Sequence, residues 1–206
     1  MKVLLINGSP RQRGCTYTAL SEVAKALTQQ GVESEIIWLG NKPMQDCIAC
    51  GGCGKTGKCA FDDGLYEIVE KCAGADGFVF GSPVYYSHPS GRLLSFMDRL
   101  FYSASRHLRG KPAAAVVSAR RAGTSASLDV IMKHFTIAQM PVVSSSYWNM
   151  VHGARPEDVL QDAEGMQTMG NLGRNMAQIL KAIAADKANS LPCPDNQYGS
   201  WTNFIR

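Results

Sequence analysis

Short apolar runs alternate with amphipathic stretches along the chain. Residues 2–7 (KVLLIN), 33–39, 76–81, 112–118 and 141–145 are brief runs rich in Val, Ile, Leu and Phe and bounded by Gly, Pro or polar residues, the pattern of buried strands. Between them apolar residues recur at helical spacing: Leu20, Val23, Ala24 and Leu27; Leu65, Ile68, Val69 and Cys72; Leu128, Ile131, Met132 and Phe135. The stretch 90–108 is apolar on more than one side, with Leu93, Leu94, Phe96, Met97, Leu100 and Phe101, which predicts a subunit contact as well as a core face. A long last helix is predicted from Pro156 towards Ala184. Strands separated by crossover helices predict an α/β fold, a parallel sheet covered on both faces, over residues 1–185. The remainder, 186–206, reads as a tail that docks on this domain or a partner subunit through Trp201, Phe204 and Ile205.

A chain of 206 residues is sized for a single domain, and 45% hydrophobic with 18% charged residues excludes disorder. The net charge of +4 demands no nucleic acid but suits a small anionic ligand. Near the amino terminus only Val3–Ile6 is continuously apolar, too short for a signal peptide or a membrane span. The expectation is a cytoplasmic protein without membrane association, in a compartment where clustered thiols are metal ligands or redox groups rather than disulfides.

In an open parallel sheet ligands bind beyond the carboxyl ends of the strands, so the loops there carry the chemistry. The first runs from Gly8 through Ser9, Arg11, Gly14, Cys15 and Thr16 to Thr18. Hydroxyls, guanidinium groups and glycines at a helix amino terminus suit a terminal phosphate. The loop is neither a Walker A sequence nor G-x-G-x-x-G, which weakens both nucleoside triphosphate and Rossmann readings; an ordinary polar connection is the plain alternative. The third loop, 81–90, holds Pro83, Val84 and the adjacent Tyr85 and Tyr86, suited to stacking on a planar ring. The fourth, 118–125, offers Ala119, Arg120, Arg121, Gly123 and Thr124: backbone donors and an arginine pair for a ring that gains negative charge. Together they describe a pocket for a phosphorylated planar heterocycle.

The GSPRxxGxT loop, the GSPVYY loop, the ARRAGT loop and the QMPVVSSSYWN segment at 139–149 resemble flavodoxin-fold NAD(P)H-dependent FMN reductases over residues 1–184. The cysteine spacing resembles the iron–sulfur flavoprotein branch of that superfamily. The resemblance implies a flavodoxin-like, doubly wound, five-stranded sheet in the order 2-1-3-4-5. It implies FMN phosphate held by Ser9, Arg11, Thr16 and Thr18, and the isoalloxazine by Pro83, Val84, Tyr85, Tyr86, Ala119, Arg120, Arg121, Gly123 and Thr124. Cys15 stands where many relatives carry Asn, which leaves a weaker side-chain contact there.

The segment 43–63 holds Cys47, Cys50, Cys53 and Cys59, spaced C-x2-C-x2-C-x5-C in a glycine-rich loop. Such spacing brings several thiolates to one cluster and leaves N–H groups for its sulfurs. Zinc is the chief competitor, although its structural sites usually use two separated knuckles; a metal-free remnant and adventitious pairing stay open. Cys72 lies on an apolar stripe and reads as core, while Cys15 and Cys193 have no evident partner. His88 reads as an exposed loop residue, His107 as a helix carboxyl-terminal one and His134 as structural. His152 follows Trp148 and Asn149, near where the family places groups close to the flavin or a neighbouring subunit.

The expected function is an FMN-dependent oxidoreductase. It would take electrons from NAD(P)H and pass them to an acceptor (a quinone, a flavin or ferredoxin), with a 4Fe–4S cluster as the candidate relay. The flavin would carry the chemistry, without a catalytic triad. The alternatives are an iron–sulfur electron carrier fed by ferredoxin, and a zinc-bound scaffold without flavin. A homodimer or homotetramer is expected.

Overall fold

The computed structural model describes residues 1–188 together with Asn196, Ser200 and Thr202. The expected docking of the tail through Trp201, Phe204 and Ile205, and the place of Cys193, lie outside the described residues. The elements are β1 (Lys2–Asn7), α1 (Cys15–Gln29), β2 (Glu33–Trp38), α2 (Gly52–Thr56), α3 (Leu65–Ala73), β3 (Gly77–Tyr85), β4 (His88–Pro89), α4 (Gly91–Leu108), β5 (Ala113–Ala119), α5 (Thr124–Ile137), β6 (Met150–His152), α6 (Pro156–Gln161) and α7 (Ala163–Ala188).

Five parallel strands run in the order β2-β1-β3-β5-β6, the flavodoxin-like arrangement, and a sixth, β4, pairs antiparallel with β3. Alternate residues of each strand feed two separate cores. Leu4, Ile6, Phe78, Phe80 and Val117 pack with Leu93, Phe96, Leu100, Ile131 and Phe135 of α4 and α5. Val3, Leu5, Val79 and Val116 pack with Leu20, Val23, Leu172 and Met176 of α1 and α7. The first face is filled by aromatic rings, Phe80 lying 5.3 Å from Phe135 between centroids. The second is closed by near contact of helix backbones: a Cβ on Gly173 would fall 2.6 Å from that of Ala26 and 2.7 Å from the carbonyl of Val23. Cys72 is buried in the first core, where desolvation pushes its thiol pKa up to about 12.

Three expectations are corrected. The run 141–145 makes only one bridge, Val142 beside Ala113; the backbone then leaves the sheet through Ser144–Ser146, and the last strand forms at Met150–His152 beside Val117–Ala119. Strand three extends beyond Gly81 to Tyr85, because Val84 and Tyr85 pair with Pro89 and His88 in a tight hairpin. The single last helix is two helices: Asp162 accepts from the Gly165 N–H at 2.9 Å and from the His152 N–H at 2.7 Å, so it caps a new helix and stops the first.

Candidate functional site: a cleft at the strand ends and a cysteine cavity

The first loop is knitted before any ligand arrives. Buried Asn7, at the end of β1, accepts from the Ser9 N–H at 3.0 Å and donates from Nδ2 to the Gln12 carbonyl at 3.1 Å. The Ser9 hydroxyl accepts from the Arg11 N–H at 3.1 Å, and Trp38 donates to the Ser9 carbonyl at 2.8 Å. The loop is tied sideways too: Gly8 N–H donates to Gly81, and the Ser90 hydroxyl to the Gly8 carbonyl at 2.8 Å. A Cβ on Gly8 would lie 2.7 Å from Leu93, so only glycine lets β1 pass this close to α4. Helix α1 is capped by Gly14 in extended backbone without a side-chain bond, and the N–H groups of Thr16 and Tyr17 have no acceptor among the described residues. Two uncommitted donors at the positive end of a helix dipole form an anion cradle.

That cradle opens into a cleft of about 260 Å³. Ser9, Arg11, Cys15 and Thr16 line one side; Pro83, Val84 and Tyr85 line another; Ala119 and Arg120 close it with Ser118, Gly153 and Ala154. The Thr16 and Ser118 hydroxyls meet at 2.9 Å, joining the first loop to the end of β5. Gly14 and Ser118 belong to the loops singled out from the sequence, whereas Gly153 and Ala154 escape sequence reasoning because they contribute backbone or small side chains rather than recognisable functional groups.

The remaining expected flavin residues stand around the cleft rather than in its lining. Thr18 turns its hydroxyl to the Gly14 carbonyl, and Arg121 is exposed. Tyr86 is fully exposed at the hairpin tip, where it and Ser87 both adopt positive φ, as the two-residue turn requires. Gly123, at φ +89°, sits beneath that tip: a Cβ there would be 2.5 Å from the Ser87 Cα. Thr124, buried, begins α5 behind it. Burial raises the pKa of the Cys15 thiol, which donates a weak bond to the Gly153 carbonyl at 3.6 Å and so enters the cleft uncharged. His88 is exposed in the hairpin, and His152 is tied through its backbone to Asp162. His107 meets Arg106, and burial with the neighbouring Arg106 and Lys111 charges lowers its pKa. His134 pairs with Asp98 at 3.1 Å.

The cysteine segment leaves β2 at the same end of the sheet and then runs back along the flank of α4. Cys47, Cys50, Cys53 and Cys59 all line one cavity of about 220 Å³, with Arg99 and Tyr102 of α4 as its floor. Counted along the helix from Ser90, these two side chains lie roughly 13–18 Å from the flavin end at 1.5 Å per residue. Short helix α2 and its left-handed flanks at Gly51 and Gly57 turn the chain around the cavity. Among the described residues no three His, Cys, Asp or Glu side chains converge on one metal ion.

Sequence reasoning missed the residue that organises this loop. Arg99, 2% exposed, donates from Nη1 and Nη2 to the Asp63 carboxylate at 2.7 and 2.9 Å, from Nη1 to the Gln45 carbonyl at 3.0 Å, from Nη2 to the Phe61 carbonyl at 2.8 Å, and from Nε to the Cys59 sulfur at 3.3 Å. Burial opposes ionisation of Asp63, but the Arg99 hydrogen bonds and charge outweigh it and hold the carboxyl below its usual range. The available signal was an arginine three residues beyond Phe96 on an otherwise apolar stripe.

No helix among the described residues is long and apolar enough to cross a membrane. The chain is similar to an iron–sulfur flavoprotein of Methanocaldococcus jannaschii, 36% identical over 89% of this chain and 99% of that protein. It is 27% identical to one of Methanosarcina thermophila over 91% of this chain and 99% of that protein. Among solved structures, a flavone reductase superposes with a TM-score of 0.71 at 19% identity, over 89% of this chain and 64% of that one. An archaeal flavodoxin superposes with a TM-score of 0.60 at 15% identity, over 88% of this chain and 99% of that one. The sequence profile of the NADPH-dependent FMN reductases matches residues 1–155. The chain belongs to the NADPH-dependent FMN reductase family, in its iron–sulfur flavoprotein branch, and is a flavin oxidoreductase.

Proposed function

We propose that this protein takes electrons from NAD(P)H onto FMN and passes them, by way of a 4Fe–4S cluster on Cys47, Cys50, Cys53 and Cys59, to a quinone, flavin or ferredoxin acceptor. The observation that carries this reading is the presence of two built sites on one chain: a cleft ending in an uncommitted anion cradle, and a separate cavity bordered by all four clustered cysteines. FMN, when bound, supplies two-electron acceptance and one-electron release. In this reading the chain binds the phosphate through the N–H groups at the start of α1, the Ser9 and Thr16 hydroxyls and Arg11. It orients the ring with Pro83, Val84 and Tyr85, and places the Arg120 guanidinium where negative charge on the ring would be stabilised. The extent of similarity to the iron–sulfur flavoproteins, nearly end to end in those relatives, supports the cluster.

The test is anaerobic purification with FMN, iron and sulfide counted per chain, followed by titration with NADPH, NADH and reduced ferredoxin while the flavin band is watched. Bound FMN bleached by a nicotinamide nucleotide, with four iron and four sulfide per chain, is the expected result. One zinc per chain would replace the cluster with a scaffold ion. Bleaching by ferredoxin alone would make the protein a carrier rather than a reductase.

A further inference from the structure

The stripe of α4 that faces the core carries Leu93, Phe96, Met97 and Leu100, and Arg99 is buried beside them. A guanidinium is costly to bury unless each donor finds an acceptor. Here all five N–H groups do, and every partner comes from the cysteine segment: Gln45 ahead of the first cysteine, and Cys59, Phe61 and Asp63 at and beyond the last. A side chain on a rigid, core-packed helix therefore closes both ends of the loop onto itself. Cys59 is gripped at two points, its sulfur by Arg99 Nε–H and its carbonyl by the Tyr66 hydroxyl. Cys47, Cys50 and Cys53 have no such bond at sulfur among the described residues.

We propose that Arg99 is the positioning residue of the cysteine centre: it fixes the loop in its ligating shape and, through the Nε–H bond to Cys59, sets the electron affinity of the cluster. The tuning half rests on the cluster reading above; the positioning half does not. An N–H dipole aimed at a ligand sulfur stabilises the extra negative charge of the reduced cluster and so raises its potential. Asp63 balances the guanidinium charge, so the two partners affect the cluster with opposite sign. Removing the arginine leaves Asp63 unopposed and lowers the potential; neutralising Asp63 raises it.

The experiment compares wild type with Arg99→Gln, Arg99→Lys and Asp63→Asn, each purified anaerobically with iron, sulfide and FMN counted. Hydrogen–deuterium exchange over 45–63 is followed in the holo and metal-free proteins, and the cluster potential by redox titration monitored by electron paramagnetic resonance. Exchange over 45–63 is expected to rise at least tenfold in both Arg99 variants, even without metal, while exchange over 8–18 stays at wild-type values. Arg99→Gln is expected to weaken the reduction equilibrium about tenfold, a fall of about 59 mV for a one-electron couple. Arg99→Lys should lower it less, and Asp63→Asn should raise it. Wild-type exchange in metal-free Arg99→Gln and Arg99→Lys would overturn the positioning role. Potentials that stay fixed, or move the same way in Arg99→Gln and Asp63→Asn, would overturn the tuning role. Wild-type protein without iron would overturn the cluster reading and the tuning with it, and exchange alone would then decide the positioning role.

Discussion

The flavin cleft is held in shape by bonds spread over several strand ends, whereas both ends of the cysteine loop converge on one guanidinium, with the Gln45 N–H bond to Asp63 and the Tyr66 bond to Cys59 beside it. In the cleft, Asn7, Ser9, Trp38, Ser82 and Ser90 share the work, mostly through neutral bonds to backbone. Losing any one of them leaves the others in place. The cysteine segment has little regular structure beyond the five residues of α2, and its two ends meet at Arg99. A shape supported by many weak neutral bonds is insensitive to pH and to single side-chain changes; one supported by an ion pair between a buried guanidinium and a partly exposed carboxylate is sensitive to both.

The largest expected effect breaks the cleft without touching the cysteines. Gly123→Ala meets left-handed backbone and the Ser87 Cα together, a loss of about 2–4 kcal/mol from strain and overpacking. Thermal denaturation should report it, FMN affinity should fall as the hairpin is displaced, and hydrogen exchange over 45–63 should stay at wild-type values. Next, Arg11→Ala should weaken FMN binding by roughly 10–100-fold, the worth of one charge-assisted phosphate contact of about 1.5–3 kcal/mol. Flavin fluorescence titration measures it, and unchanged affinity would remove Arg11 from the cradle.

Acidification should separate the two regions more gently, because it removes the Asp63 charge while the carbonyl and sulfur bonds of Arg99 remain. The folded pKa of Asp63 lies below the unfolded value of about 3.9. Its contribution is therefore complete above that value and is lost as pH falls through the folded pKa. Exchange over 45–63, corrected for intrinsic rates, should accelerate below about pH 4 while the bonds of residues 8–18 stay protected. The smallest effect is expected from Cys15→Ser: an uncharged thiol with one long bond should change FMN affinity by less than about threefold, one weak contact.

Most of the sheet was legible because its central strands are buried on both faces and announce themselves as continuous apolar runs, Val3–Ile6 and Val116–Val117 among them. The last strand was not, because Met150–His152 is only three residues long and is defined by what it pairs with. The two Val residues at 142–143 look more strand-like, yet the Ser run that follows carries the chain off the sheet. The lining of the cleft was legible in Ser9, Arg11 and Thr16, whose chemistry shows in their names, but not in Gly153 or Ala154, which line the cleft only through the fold. Arg99 was hidden for a related reason: a charge on an apolar stripe has meaning only once its partners, 36–54 residues away, are known.

The hairpin over Gly123 has a consequence for descent. The atom that forbids a side chain at 123 is the backbone of Ser87 itself, so no change of residue at 87 can make room. Lineages that keep a two-residue turn between Tyr85 and His88 should therefore inherit glycine at 123 without exception. Those that lengthen or shorten the hairpin lose the clash but keep the left-handed backbone at 123, which still favours glycine.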